Sequence, residues 1–388
     1  VSHCLTETDV EEYTVGDDVI LVVKVPRATK AQKPIFLNND VFGATFRRDH
    51  EGDYHCTEAE VKAMIRDSSE ETPDERVLTR KPDFDPDTIK SYRIRYNARH
   101  EGSAWSKLND TDFLVQIGAL NDEGDTLKPT AAGLLMFGTE LRITREYPEY
   151  FLDYREHMEP NIRWTDRIYS QEPEWSGNVY DFFNRVSAKL VLDLKKPFKL
   201  VNQVRVDETP MHDAVREALV NCLVNTDFYQ PWSVIIEKYP DKITLANPGT
   251  IIAGKNQMLK GGISQPRNKG LFKMFNLLGY GEHAGSGVPD IFKAWKDAGL
   301  DTPIVEEKFG GGEPDRTIVT LPLIPTSSYS NLSIDNNDLT EDSLERLVNF
   351  CSEPKSRQEM MEFMGLSNRD HFSKHYIKPL INAKRLAM

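Results

Sequence analysis

The sequence is short of the patterns that would mark a secreted or membrane protein. Its four cysteines, Cys4, Cys56, Cys222 and Cys351, are scattered and show no Cys-x-x-Cys spacing. They read as reduced thiols of an intracellular protein and not as a disulfide or zinc framework. No apolar run approaches the roughly 18 residues that a membrane span needs, and the N-terminus lacks the charged-then-apolar layout of a signal peptide. The expected location is therefore the cytoplasm. An initiator Met is missing too, and the chain opens in mid-pattern, so Val1 reads as the start of a fragment. Positive charge is also scarce, with 48 Lys and Arg against 61 Asp and Glu and a net charge of −13. That balance argues against a surface that binds nucleic acid everywhere and confines any DNA contact to a local patch.

What is present has the make-up of a soluble globular protein of about two to four domains: 388 residues, 39% hydrophobic and 28% charged. The stretch around which the rest is organised runs from Asp213 to Phe228, DAVREALVNCLVNTDF. At about 100° per residue, Asp213, Glu217, Asn221 and Asn225 form one polar stripe on a helix. Ala214, Val215, Ala218, Leu219, Val220, Cys222, Leu223 and Val224 make the remainder apolar, which predicts a buried helix. Buried polar groups need partners, because an unsatisfied one costs roughly 1–3 kcal/mol. The stripe therefore faces either an internal polar network or a ligand.

Along the chain, Val19 to Val25 is a β-branched run that suits a central strand, and Phe42 to Arg48 is a second candidate strand. Thr57-Glu58-Ala59-Glu60 is a capping box that opens a helix through about Asp67. The polar run Ser68 to Glu75 marks a boundary. Helical patterns follow at Asp85 to Tyr96, Asp110 to Leu120, Thr130 to Gly138 and Val179 to Leu194, with a strand-like FLDYREH after residue 150. Beyond the striped helix, SVIIEKY and KITLANPG flank a Pro-Asp turn and predict a β-hairpin. A glycine-rich segment, Gly261 to Gly287, leads into a helix with Val288, Ile291, Phe292, Trp295 and Ala298 on one face, and Thr317 to Leu323 reads as a closing strand. Thr326 to Asn337 has the composition of a linker. Helical patterns at Glu341 to Cys351, Ser356 to Met364 and Asn368 to Asn382 then fit a helix-turn-helix.

Gly285-Ser286-Gly287 ahead of a helix can present backbone N–H groups to an anion, although a Gly-x-Gly alone is more often a tight turn. It lacks the Lys-Ser/Thr of a P-loop, which removes the Walker reading and with it a helicase motor.

Taken in order, LKPTAAGLLMFG, the WTDRI of Trp164 to Ile168, REALVNCLVNTDF, ANPG, PRN and EHAGSGVPDIF resemble a family of transcriptional regulators. These are the Schlafen/AlbA-like (divergent AAA) regulators with a RecG-related, GHKL-like C-terminal ATP-binding domain. GATFRRDHEGDYHCTEAEVKAMIRD looks like the end of the AlbA-like domain. The resemblance implies that Glu217 orients or deprotonates an attacking water and that Asn221 binds Mg²⁺ at the phosphates. Asn225 continues the stripe. Asn247 to Gly249 stands at the first glycine box and Gly285, Ser286 and Gly287 at the second. Arg267, beside Asn268 in the PRN motif, pairs with phosphate. Two positions depart from the pattern. Leu245-Ala246-Asn247 has no carboxylate before the first glycine, and Asn225-Thr226-Asp227-Phe228 stands in place of His-Arg-Asp-Tyr.

The expected fold is α/β of the α+β kind. Residues 1–75 form the C-terminal half of an AlbA-like domain, 76–200 a mixed, mainly helical connector, 201–325 a GHKL-like α/β sandwich, 326–338 a linker and 339–388 a partial winged helix. The chain ends at KRLAM, where the wing of such a helix-turn-helix would follow. The expected function is a DNA-binding transcriptional regulator, dimeric by analogy, that binds ATP with Mg²⁺ and reaches DNA through Arg369, His371, Lys374 and Lys378. The competing readings are an ATPase or Schlafen-like nuclease, and a scaffold with a degenerate nucleotide fold.

Overall fold

A computed structural model describes residues 7–25, 28–49, 52–124, 126–192, 194, 200–201, 204–205, 209–281, 287–310, 313–325, 347–348, 350–351, 355–364, 372–377 and 380. The chain divides into two units, Val1–Pro325 and Thr326–Met388.

The first unit opens with a hairpin of β1 (Val10–Val15) and β2 (Asp18–Val23). The run expected as a central strand is thus one arm of a two-stranded ribbon, with Val19 67% and Leu21 58% exposed. Apolar patterning reports what a strand would bury, and here no third strand joins it among the described residues. A second hairpin, β3 (Phe46–Asp49) with β4 (Gly52–His55), leads to α1 (Glu58–Ser68). The predicted capping box opens that helix: the Thr57 N–H donates to Glu60 at 2.6 Å and the Glu60 N–H to Thr57 Oγ1 at 3.3 Å.

Local signals also set the helices that follow. In α2 (Pro86–Arg99), Asp85 caps the Thr88 N–H at 2.8 Å and Pro86 occupies the first turn, where its missing N–H costs nothing. Helix α3 (Asp110–Ile117) is capped by Asn109. After the short pair β5 (Leu120–Asn121) and β6 (Lys128–Pro129) comes α4 (Ala131–Phe137), buried along its whole length and capped by Thr130. A short helix, α5 (Glu140–Thr144), precedes β7 (Leu152–Glu156), β8 (Asp166–Tyr169) and α6 (Val179–Val191).

A two-residue pair, β9 (Leu200–Val201) and β10 (Val204–Arg205), precedes the striped helix α7 (Pro210–Val224). The predicted hairpin follows as β11 (Val234–Lys238) and β12 (Lys242–Pro248). Then come α8 (Lys255–Lys260), α9 (Lys269–Leu277), α10 (Gly287–Asp297), β13 (Ile304–Gly310) and β14 (Glu313–Pro322).

Six strands form one mixed sheet in the order β13-β14-β12-β11-β7-β8, in which only β7 and β11 run parallel. The sheet, with helices gathered on it, is α+β in class. Along β11 and β12 alternate residues are buried (Val234, Ile236, Lys238; Ile243, Leu245, Asn247), and α6 and α7 pack against the sheet. Lys238 sits at the end of this buried row because its ammonium donates to the Lys189 carbonyl of α6 at 2.7 Å.

One core runs continuously from Leu78 to Leu321. The aromatic residues Tyr92, Phe113, Phe137 and Tyr180 join α2, α3, α4 and α6, and Tyr92 OH donates to the Met274 carbonyl of α9 at 2.7 Å. The acidic run that composition marked as a boundary is anchored into this core. Asp74 is fully buried, accepts the Leu271 N–H at 2.8 Å and thereby caps α9 from outside the helix.

In the second unit, α11 (Arg357–Phe363) begins at the predicted box, with the Ser356 N–H donating to Glu359 at 2.7 Å. Leu347, Phe372, Tyr376, Ile377 and Leu380 make a small core. Arg369, His371 and Lys378 lie outside the described residues, and Lys374 is described in its backbone only. No helix among the described residues is long and apolar enough to cross a membrane.

Candidate functional site

Helix α7 starts at Thr209, with Pro210 in its first turn and the His212 ring on the Thr209 hydroxyl at 2.8 Å. Its eight predicted apolar residues are all buried. The stripe divides in two. Asp213 is exposed, whereas Glu217, Asn221 and Asn225 are half-buried along one wall of a cleft with an inner cavity of about 130 Å³. Asn247 at the end of β12, Gly287 at the start of α10 and Thr317 on β14 line the same cleft, and Ile251, Ile263, Phe272, Ile291, Phe292 and Val319 form its apolar walls. A narrow apolar slot with polar groups along one side is the usual form of a small-molecule site.

The polar groups hold one another. Glu217 Oε2 accepts the Gly281 N–H at 2.9 Å and its Oε1 accepts the Asn221 amide at 3.3 Å. Asn225 donates to the Asn221 carbonyl at 2.9 Å, and Asn247 donates to the Pro248 and Asn225 carbonyls at 3.0 and 3.4 Å. The stripe thus has both an internal network and an open cleft before it. Gly287 lets the helix start close against the carboxylate, because a Cβ there would lie 2.1 Å from Glu217 Oε1 and push that side chain from its place. Cys222 is on the same wall, but burial pushes its thiol well above the ordinary range, which makes it an inert wall group.

The remaining expected residues fall elsewhere. Gly285 and Ser286 lie outside the described residues. Arg267, expected at the phosphates, is 4% exposed and lines an adjoining charged cleft, donating to the Asn225 carbonyl at 3.1 Å, to the Thr250 carbonyl at 2.8 Å and to Asp67 of α1. Gly249 has φ +94°, and a Cβ there would also meet Arg267 at 2.9 Å. Asn268 is buried and spans the Val224 and Thr226 carbonyls at 3.0 and 2.8 Å, tying the end of α7 to the start of α9. Asp227, in the departing Asn-Thr-Asp-Phe segment, pairs with Arg66 of α1 at 2.8 Å. Asp315 faces the charged cleft, where burial and the neighbouring Glu60 raise its carboxyl to about 6.

Sequence reasoning missed Thr317, Phe272 and the Thr250–Ile252 wall as cleft residues. Thr317 gets there through the antiparallel register that sets it opposite Asn247, and its hydroxyl donates to the Gly249 carbonyl at 2.9 Å. No local pattern encodes that register. The only available signal was adjacency to ANPG, which covers Thr250–Ile252.

Two family models match parts of the chain. Residues 62–153 match "Domain of unknown function (DUF8451)", and residues 232–311 match "Putative ATP-dependent DNA helicase recG C-terminal". The chain therefore carries a domain similar to the ATPase-related RecG C-terminal one. That match spans Asn247, Gly249, Arg267, Asn268 and Gly287 and stops short of α7. Among solved structures, the DIP2311 protein from Corynebacterium diphtheriae is similar, with a TM-score of 0.50 and 20% identity over 96% of this chain and 71% of that one, a likeness of fold. No curated protein matches the chain.

Proposed function

We propose that the cleft between α7, β12 and α10 binds ATP with Mg²⁺, and that the protein is a DNA-binding transcriptional regulator controlled by that nucleotide. The observation that carries the reading is the convergence of Glu217, Asn221 and Asn225 on one cleft, with a glycine helix start closed against the carboxylate. Apolar walls suit a planar base, and the acid and amides suit the charged end of the ligand. With its NH₂ group donating to Glu217, Asn221 keeps its amide oxygen as a hard ligand for Mg²⁺. Glu217, oriented by the Gly281 N–H, is placed to align or deprotonate a water for slow hydrolysis. Gly285 to Gly287 contribute backbone N–H groups near phosphate. Arg267 acts through the wall it holds and not by touching phosphate.

In this reading the second unit delivers Arg369, His371, Lys374 and Lys378 to DNA, and the protein works as a homodimer on a two-fold site. The test is calorimetric titration of ATP with Mg²⁺ into the protein and into Asn221→Ala. Loss of one metal-directed ligand is expected to weaken binding about tenfold, roughly 1.4 kcal/mol. No binding at millimolar ATP, or equal binding by the variant, refutes the assignment.

A further inference from the structure

Beside the nucleotide cleft and the charged cleft lies a third basin of about 440 Å³, bordered by Lys30, which also lines the charged cleft, and by Lys269, Ser68, Ser69, Ser264 and Gln265. Ile252, Ser264, Gln265 and Pro266 face both the nucleotide cleft and this basin, so the two share a wall. The basin is assembled from distant parts of the chain. Lys30 starts a single helical turn, Lys30–Gln32, that packs on α1, Ser68 and Ser69 close α1, and Lys269 opens α9.

The two lysines differ in how they are satisfied. Lys269 Nζ donates to the Glu70 carbonyl at 2.7 Å. The Lys30 ammonium, half-buried, makes no hydrogen bond or ion pair among the described residues. Burial holds it below its ordinary value, and Lys269 and then Arg267 add like-charge repulsion against the opposing pull of Asp67 and Glu75. Two cations facing one space, flanked by hydroxyls, form an arrangement that an anion relieves. Glu70 is the acidic residue on the rim; of the carboxylates nearby, Asp67, Asp227 and Glu60 are paired with arginines, Glu75 and Glu307 accept the Thr72 and Ile251 N–H groups, and Asp315 lies across the charged cleft.

We propose that the Lys30–Lys269 basin is an anion subsite that takes a phosphoryl group. Two sources share that chemistry: the phosphoryl tail of the ligand in the adjoining cleft, which rests on the nucleotide reading above, and a free phosphate or pyrophosphate, which does not. The position of the shared wall allows either one.

The experiment is titration of inorganic pyrophosphate, and separately of ATP with Mg²⁺, into the full chain and into Lys30→Gln, Lys269→Gln and the double variant, with ionic strength matched by chloride. Lys269→Gln changes an exposed side chain and guards against a folding artefact. Pyrophosphate is expected to bind the parent and to bind the double variant at least tenfold more weakly. If ATP weakens in parallel, the tail of the nucleotide occupies the basin. If ATP is unaffected while pyrophosphate is lost, the basin is a separate anion site. Failure of the parent to bind pyrophosphate at millimolar concentration, or equal binding by parent and variants, overturns the proposal. Asn221→Ala separates the two readings, because it should impair ATP and leave pyrophosphate binding intact.

Discussion

Asp74 offers a test of how the core treats a buried charge. Its carboxyl is fully buried, hydrogen-bonded by Thr72 Oγ1 at 2.7 Å and the Leu271 N–H at 2.8 Å, and raised by burial from 3.8 to about 6. Because the folded value is the higher one, the native state holds the proton more tightly than the unfolded chain, and stability falls as pH rises from about 4 through 6. A gap of about 2 units corresponds to roughly 3 kcal/mol between the fully protonated and fully ionised limits. About half of that lies above pH 5, so urea unfolding at pH 5 and pH 8 should show a loss on the order of 1 kcal/mol from this residue. Asp74→Asn keeps an acceptor for Leu271 and cannot ionise. Groups common to both proteins cancel in the comparison, so the variant should lose on the order of 1 kcal/mol less than the parent across that interval. Identical pH slopes, or a steeper loss in the variant, would refute the reasoning. The result bears on the cleft, since Asp74 caps α9 and α9 supplies Phe272 to the apolar wall.

Gly287→Ala forces a methyl group against Glu217, and calorimetry should record at least tenfold weaker ATP binding with a small change in melting temperature. Arg267→Met leaves Asp67 without its buried partner and should cost about 3 kcal/mol, with Asp67→Asn in the same chain recovering part of it in a double-mutant cycle; simple additivity would count against the pairing. If the second unit binds duplex DNA, its affinity measured by fluorescence anisotropy should fall steeply with salt, and Lys378→Ala should reduce the slope; a salt-independent signal would exclude phosphate contacts.

Local chemistry was legible in the sequence wherever neighbours along the chain decide the outcome. Thr57 with Glu60, Asp85 with Pro86, Thr130 and Ser356 with Glu359 all start helices where their capping chemistry places them, since a cap is satisfied within three residues. The hairpin of β11 and β12 and the stripe of α7 were equally readable, because periods of 2 and 3.6 are properties of one segment. Residues in contact across the chain were not readable in this way. The apolar run from Val19 looked like a core strand and is exposed, while the acidic run Ser68 to Glu75 looked like a boundary and yet buries Thr72 and Asp74 between exposed neighbours.

The sequence by itself therefore determined the capped helices, the β11–β12 hairpin and which face of α7 is polar, but not α8, β1, β13 or the α9 helix that lies inside the glycine-rich segment. Only the tertiary structure decided that β7 lies parallel to β11, that Thr317 stands opposite Asn247, that Arg267 turns to Asp67, and that Lys30 and Lys269 share a basin. These are pairings between segments distant along the chain. Their geometry follows from how the core packs, and no local period or spacing encodes them.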